Sequence, residues 1–427
     1  MEHTHGYVTD VGYPAFFHRQ MLPAWLSASG RFLGRCTPDA SARFSFLELG
    51  CGIGVNLLVA AASHPQASFV GVDFNRAHLA LAREGAVAAG LDNVRFVEAD
   101  FSAFATANRE RFDYVASHGV WSWVAPEQRA ALMDCVAGAL APGGLFYLHY
   151  MCHPGSTDLV PVQHLLAMLA RHLEGNSSER AQAAVRLLLQ LGEAGAFVEQ
   201  PRVLDKIRAL ATKDPAHLAH EFLTDHWEPQ HAARVHAQVG GRGLLLLGSA
   251  GLFDNLDPSI SIPGRLQPAL ARVRAPMLAD ALRDMARNSH QRQDLFQMPG
   301  GGAGPAGPAP LRLGLLPGAR IAGKVSVQTP IGMVHGPEAL TRPVLECLAA
   351  GPATFQDLAR LPVFAGDPQL AAQTVQLLMY GGLLHPQPDT AVPAAATAAL
   401  QQWFRRRGIG LQLVPACATA LMPAAAG

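Results

Sequence analysis

The stretch FSFLELGCGIGVNLLVAAASHPQASFVGVDFN, from Phe44 to Asn75, decides the fold. Phe44 to Leu49 is a short apolar run of the kind that forms a fully buried strand. Three closely spaced glycines follow, Gly50, Gly52 and Gly54, and then a small-residue helix from about Val55 to Ala62. A second apolar run, Ser68 to Val72, closes on Asp73. Strand, glycine turn, helix and strand make a βαβ unit of a parallel sheet, whose ligand crevice lies at the carboxyl ends of its strands. Glycines suit that turn because the backbone must bend tightly and admit a ligand without a Cβ in the way.

The spacing in ELGCGIG departs from the dinucleotide pattern G-x-G-x-x-G, and Glu48 stands just before the loop. A carboxylate there repels a diphosphate but can hold an ammonium through charge-assisted hydrogen bonds. Asp73, at the end of the second strand, can accept both hydroxyls of a ribose. These features favour S-adenosylmethionine (SAM) over NAD, and the stretch resembles motif I of the class I methyltransferases. Glu48, Gly50, Cys51, Gly52, Asp73 and Phe74 are the cofactor candidates from this unit.

The next elements extend the sheet in order. Arg76 to Ala89 has Leu79, Ala82, Ala86 and Ala89 at helical spacing, with Gly90 as its stop. Val94 to Glu98 reads as a third strand and leads into Asp100 and Phe101. In a sheet of this kind the acid accepts from an adenine amino group while the ring beside it covers the base. Phe112 to Ser117 is a fourth strand running into HGVWSWV. Pro126 opens a helix to Ala141 with PGG as its stop, and Leu145 to Tyr150 is a fifth strand.

Composition narrows the classes. At 427 residues the chain has room for two or three domains. Hydrophobic residues make up 49%, yet no apolar run reaches the length of a membrane span. The opening MEHTHGYVTD lacks the basic and apolar regions of a secretory leader, so a cytoplasmic location is expected. The formal net charge is zero, and no Lys/Arg block stands out beyond Arg405 to Arg407, which argues against a dedicated DNA binder. Six cysteines without a C-x-x-C pair read as reduced thiols and not as a zinc site.

Residues 1–43 form an N-terminal helical cap. Its aromatic segment from Tyr7 reads either as a cover on the sheet or as a lid in which Tyr7, Asp10 or Tyr13 reaches over the cofactor. With that cap, residues 1–160 make a SAM-binding Rossmann-like domain. Residues 161–298 are a helical insertion or regulatory region, with helices expected over Val162 to Leu173 and Ser178 to Ala194. Leu244 to Ser249 reads as a buried strand that rejoins the sheet. After the low-complexity segment Pro299 to Pro310, the run from Leu311 to Gly332 suggests a hairpin or strand pair. Residues 311–410 form an α+β module in which Pro337 to Ala349, Thr354 to Leu361 and Pro368 to Tyr380 are three helices. GGLLHPQPD then reads as the turn into a wing, so the module resembles a winged helix without a basic recognition face. The tail from Val414 reads as frayed.

More distinctive residues support a narrower resemblance. GYVTDVGY, FLELGCGIG, VGVDFNRAHLALA, HGVWSWV, YMCHPG, HEFLTDHWEP and LLLLGSAGLFDN together resemble class I methyltransferases that carry a methyltransferase regulatory domain. Within that group the chain is similar to bacterial protein-lysine methyltransferases acting on outer-membrane proteins. The resemblance is strong to about residue 155 and thinner beyond 260. One departure falls at Ser156, where the family often has Trp after PG, and it bears on the substrate more than on the cofactor.

The resemblance implies a SAM-dependent enzyme with a protein side chain, a lysine, as acceptor; small-molecule methylation is the runner-up. A different class, a non-catalytic SAM-binding protein that recruits partners, is opposed by the intact Glu48, Gly50, Gly52 and Asp73. A lysine must lose its proton before it attacks, and apolar or aromatic walls favour the neutral amine. Tyr7, Tyr13, His118, Trp121, Trp123 and Tyr150 are the candidates for that acceptor site. His118, Trp121 and Tyr13 carry the catalytic expectation, and His118 is also a cofactor contact. The histidines at 217, 220, 226, 231 and 236 lack ligand spacing and read as the surface of a helical segment; His3 and His5 at the terminus carry no weight. No metal is expected.

Overall fold

The computed structural model describes residues 6–301, 304 and 306–422. His3 and His5 lie outside them. At its centre is a seven-stranded sheet in the order β3-β2-β1-β4-β5-β7-β6. The strands are β1 (Ser45–Leu49), β2 (Ser68–Asp73), β3 (Val94–Glu98), β4 (Phe112–Ser117), β5 (Leu140–Met151), β6 (Leu245–Ser249) and β7 (Gln291–Gln297). β1 to β5 run parallel, and β7 lies antiparallel between β5 and β6. This is the expected Rossmann-like α/β sheet.

Alternation along the strands feeds two cores. Phe46, Phe69, Tyr114 and Tyr147 enter one cluster, whereas Leu47, Val70, Val115 and Leu148 enter the other. The first face is covered by α1 (Pro23–Phe32), α2 (Val55–Ser63) and α3 (Arg76–Ala88). The second is covered by α4 (Phe101–Ala107) and α5 (Pro126–Ala139), together with a later helix, Ala232–Gly240. Residues Pro142 to Gly144, expected to stop a helix, lie inside β5 instead. The pairing with β4 jumps from Phe112↔Leu140 to Tyr114↔Leu145, so the extra residues form a bulge.

Between β5 and β6 the chain makes α6 (Leu159–Ala170), α7 (Ser177–Glu193), α8 (Pro201–Leu210), α9 (Pro215–Phe222) and α10 (Ala232–Gly240). α6 to α9 enclose a third cluster, which also takes in Val8 and Trp123. β6 returns to the sheet but as its edge, with Leu245 57% exposed, where the sequence suggested a buried strand. β7, with the polar pattern QRQDLFQ, gave no strand signal in the sequence. Its charges are matched in place: Arg292 pairs with Asp284 at 2.8 Å and with Asp294 at 2.9 Å, and Tyr150 donates to Asp294 at 2.6 Å.

The C-terminal part differs from a winged helix. Helices Glu338–Ala350, Phe355–Ala359 and Pro368–Tyr380 fall where expected. Leu384–Pro386, however, pairs with the upstream strand Arg312–Leu315, which lies between it and Ala353–Thr354. The position of a returning wing strand is thus already filled. The hairpin expected from Leu311 onward forms later, between Val325–Thr329 and Gly332–Gly336. The tail does not fray at Val414, because Gln412–Val414 pairs with Thr419–Leu421. Helix Ala394–Arg406 packs back onto α2 and α3: Trp403 Nε1 donates to Glu84 at 2.9 Å, and Arg407 pairs with the same carboxylate. Leu313, Val344 and Leu378 share one continuous core with Phe46 and Phe69, so this region is part of the body that covers the sheet.

Candidate active site

A cavity opens at the carboxyl ends of β1, β2 and β4. Its floor is the glycine turn. Gly50, Gly52 and Gly54 all have positive φ, and a Cβ on Gly50 would collide with Val120. Gly52 N–H donates to Asp73 Oδ2 at 2.8 Å, and Asn75 N–H donates to Oδ1 at 2.8 Å. Asp73 therefore locks the turn to the end of β2 while lining the cavity. Burial raises its pKa, and the N–H donors of Asn75 and Gly52 oppose that rise.

Glu48 lies in the same cavity with Oε2 buried and without a hydrogen-bond partner among the described residues. Burial, and then the nearby Asp73, push its carboxyl up to about 8. A buried carboxyl oxygen left without a partner is costly unless a cation or donor completes it. That fits the ammonium of SAM. Cys51, Phe74, Asp100 and Phe101 also line the cavity. Asp100 caps α4, accepting from Ala103 N–H at 2.8 Å. Burial pushes the Cys51 thiol well up, so it packs as a neutral side chain.

The segment before α1 forms another wall. It is extended where the sequence suggested helix, and Tyr7, Tyr13, Phe16 and His18 line the cavity. Helix α9 holds it from behind: His220 packs at 5.4 Å from Tyr7 and 5.0 Å from Tyr13, and its Nε2 donates to Val11 O at 3.1 Å. Phe16 meets His217 edge-on at 5.5 Å. Asp10 turns away from the cavity and accepts from Ser177 N–H at 2.8 Å, at the start of α7. The 217–236 histidines thus differ from the expected surface set, since His220 is buried and His236 bonds Asp294 at 2.7 Å. Among the described residues no group of three or more His, Cys, Asp or Glu could hold a metal ion.

After β4, HGVWSWV divides its aromatics. His118 and Trp123 line the cavity. Trp121 does not: it is 1% exposed, sits in the core of the second sheet face, and donates to Gln230 at 3.0 Å. Tyr150 is likewise buried away from the cavity on Asp294. Both were expected at the acceptor site. Alternation along β5 turns Tyr150 away from the cavity, and a 3₁₀ turn, Trp121–Trp123, sends the first tryptophan inward.

Sequence reasoning missed several cavity residues. His18, Asn56 and His78 line it, although none of the three was singled out as a site residue in the sequence. The rings of His18, His118 and His149 form a column, with centroids 3.6 Å and 4.0 Å apart. Burial lowers all three pKa values, those of His18 and His149 to about 4, so the column is neutral at pH 7. Glu221, at the end of α9, is pushed up to about 7 by burial, and its backbone carbonyl accepts from Trp123 Nε1 at 3.1 Å. Only a three-dimensional meeting of distant segments reveals these residues.

Comparison with known proteins agrees with this geometry. Residues 46–144 match the methyltransferase domain family, and residues 214–297 match the predicted methyltransferase regulatory domain. Protein sll1526 of Synechocystis sp. is 28% identical over 405 residues, spanning 91% of this chain and 78% of that protein. A tRNA (guanine-N(7)-)-methyltransferase of Chloroflexus aurantiacus is 35% identical over 120 residues, 25% of this chain and 51% of that enzyme. PKMT2 from Rickettsia typhi in complex with AdoHcy has the same fold, with a TM-score of 0.67 at 19% identity over 89% of this chain and 78% of that one. Residues 46–144 are thus similar to a methyltransferase domain and residues 214–297 to a methyltransferase regulatory domain, and the chain is a SAM-dependent methyltransferase.

Proposed function

We propose that the protein transfers the methyl group of SAM to the side-chain amine of a lysine in a protein substrate. The observation that carries this reading is the aromatic wall of Tyr7, Tyr13, Phe16 and Trp123 in the same cavity as Glu48 and Asp73. Such a wall accommodates the long apolar stem of lysine and disfavours its ammonium, leaving the neutral amine that can attack. The chain shares its fold with PKMT2 from Rickettsia typhi, which is in complex with AdoHcy, and that agrees with SAM as the methyl donor.

When bound, SAM supplies a methyl group on a sulfonium carbon open to in-line displacement. The residues then have separate tasks. Glu48 holds the ammonium of the methionine half, and Asp73 holds the ribose hydroxyls. Asp100 and Phe101 take the adenine, while Gly50, Cys51 and Gly52 let the backbone approach. Tyr13 stands beside the acceptor amine and His118 beside the methionine half, and the wall around them keeps water out. Trp121 has no place in this set, because it is a core residue.

The test is to incubate purified protein and isotopically labelled SAM with a cell lysate and to find the label by mass spectrometry. Label on lysine side chains of protein is the expected result. Label confined to small metabolites would replace this acceptor with a small molecule, and no label anywhere would remove catalysis from the reading.

A further inference from the structure

The histidine column fixes which ring nitrogens carry protons. Gly119 N–H can only donate, and it lies 3.2 Å from His149 Nδ1. The neutral His149 ring therefore carries its proton on Nε2, which donates to Gln291 Oε1 at 3.0 Å. His118 is held differently. Its Nδ1 is 2.8 Å from the Tyr147 hydroxyl, and that hydroxyl is fully buried with no other partner among the described residues. Burial first, and then the Glu48 carboxylate, hold the Tyr147 hydroxyl well above its usual pKa, so it keeps its proton. Were Nδ1–H of His118 the donor, that phenolic proton would be buried without an acceptor, a costly arrangement. The pairing that satisfies both groups has Tyr147 donating to Nδ1.

His118 then carries its own proton on Nε2, and Nε2 is the nitrogen left for the cavity that His118 lines. We infer that Tyr147 fixes His118 as a hydrogen-bond donor, and that its Nε2–H takes a carboxylate oxygen of the methionine half of SAM. The inference rests on Glu48 as the ammonium partner in the proposed function. An amino acid's ammonium and carboxylate lie on one carbon, so a carboxylate donor belongs near Glu48, within whose electrostatic reach Tyr147 lies. His118 offers no lone pair to the cavity and does not remove the proton of the acceptor amine. Tyr147 is a positioning residue, acting through His118.

Calorimetric titration with SAM and with decarboxylated SAM isolates the carboxylate. The wild-type protein should prefer SAM by at least about tenfold, as a charged hydrogen bond warrants. In His118→Ala that preference should shrink at least about fivefold, with decarboxylated SAM bound nearly as before. His118→Gln, which retains an N–H, should restore part of it, and Tyr147→Phe should lower it. Nitrogen-15 spectra of the wild-type imidazoles read the tautomer directly, whether or not a variant folds. An undiminished preference in His118→Ala, or a His118 proton on Nδ1, overturns the inference. Loss of both ligands in a folded Glu48→Gln variant leaves it standing, whereas unchanged SAM affinity there would remove its Glu48 premise. Failure of the lysine assignment would instead appear in the labelling experiment, with this preference intact.

Discussion

Asn56 grips the backbone of His18 from both sides. His18 N–H donates to Asn56 Oδ1 at 3.1 Å, and Asn56 Nδ2 donates to His18 O at 2.7 Å. One residue of α2, just past the glycine turn, thereby fastens the aromatic wall to the floor of the cavity. Asn56→Ala removes both bonds, each worth about 0.5–1.5 kcal/mol. We expect SAM to dissociate about tenfold faster from the variant, with most of the global stability retained. Stopped-flow displacement of SAM checks it; an unchanged off-rate would show that the wall is held by α9 alone.

Glu48 makes SAM binding a proton-linked event. Its carboxyl, pushed to about 8 by burial and by Asp73, is protonated in the free protein at neutral pH. Between an ordinary carboxyl pKa near 4.5 and about 8, the folded protein holds a proton that the unfolded chain does not. That contribution to stability is full below the unfolded pKa and is lost as pH rises through about 8. An ammonium ligand needs the ionised form, so SAM should bind more tightly as pH rises toward 8, with release of up to about one proton at pH 7. Calorimetry in two buffers of different ionisation enthalpy measures that number. Zero release at pH 7 would mean that Glu48 is already ionised.

Asp73 serves both the turn and the ligand. Asp73→Ala strips the acceptors from Gly52 and Asn75 N–H as well as from the ribose hydroxyls. Each charge-assisted bond is worth about 1.5–3 kcal/mol, so SAM affinity should fall at least about tenfold. Equilibrium dialysis on variant protein shown to be folded decides it, and an unchanged dissociation constant would refute the assignment.

The two tryptophans of HGVWSWV should part company. Trp121→Ala hollows the core and is expected to cost about 3–5 kcal/mol of stability. Trp123→Ala removes part of the cavity wall and should lower turnover more than about tenfold through misalignment of the acceptor. Thermal melts and turnover measured side by side separate them. Equal stability losses, or full turnover in Trp123→Ala, would contradict the placement.

Much of the fold was legible because its signals are local. The glycine turn, the run of apolar strands and Asp73 sit within one short stretch, and each element has a length and composition that only a βαβ unit satisfies. β7 was not legible. Its Arg292 and Asp294 look like surface residues until the carboxylates of the helix Pro276–Arg287 and the Tyr150 hydroxyl are brought around them. The cavity was read in the same uneven way. Glu48, Asp100 and Phe101 announce themselves at strand ends, whereas His18, Asn56 and His149 matter only once three distant segments meet. Trp121 was misplaced because a turn, not a strand, sets which way it faces.

The position of β7 has a consequence for how the chain is made. It is the last strand of the sheet to be synthesised, yet it lies inside, between β5 and β6. Until residue 297 has left the ribosome, β5 presents an open edge and β6 has no neighbour to pair with. For that interval two apolar strands wait for a polar one, a state in which strand edges invite association with other chains. The helices α6 to α9, made in between, are built largely from contacts among themselves and can form first. The newborn chain is most vulnerable while the ribosome reads the roughly forty codons after β6, and slow translation there should raise its dependence on chaperones.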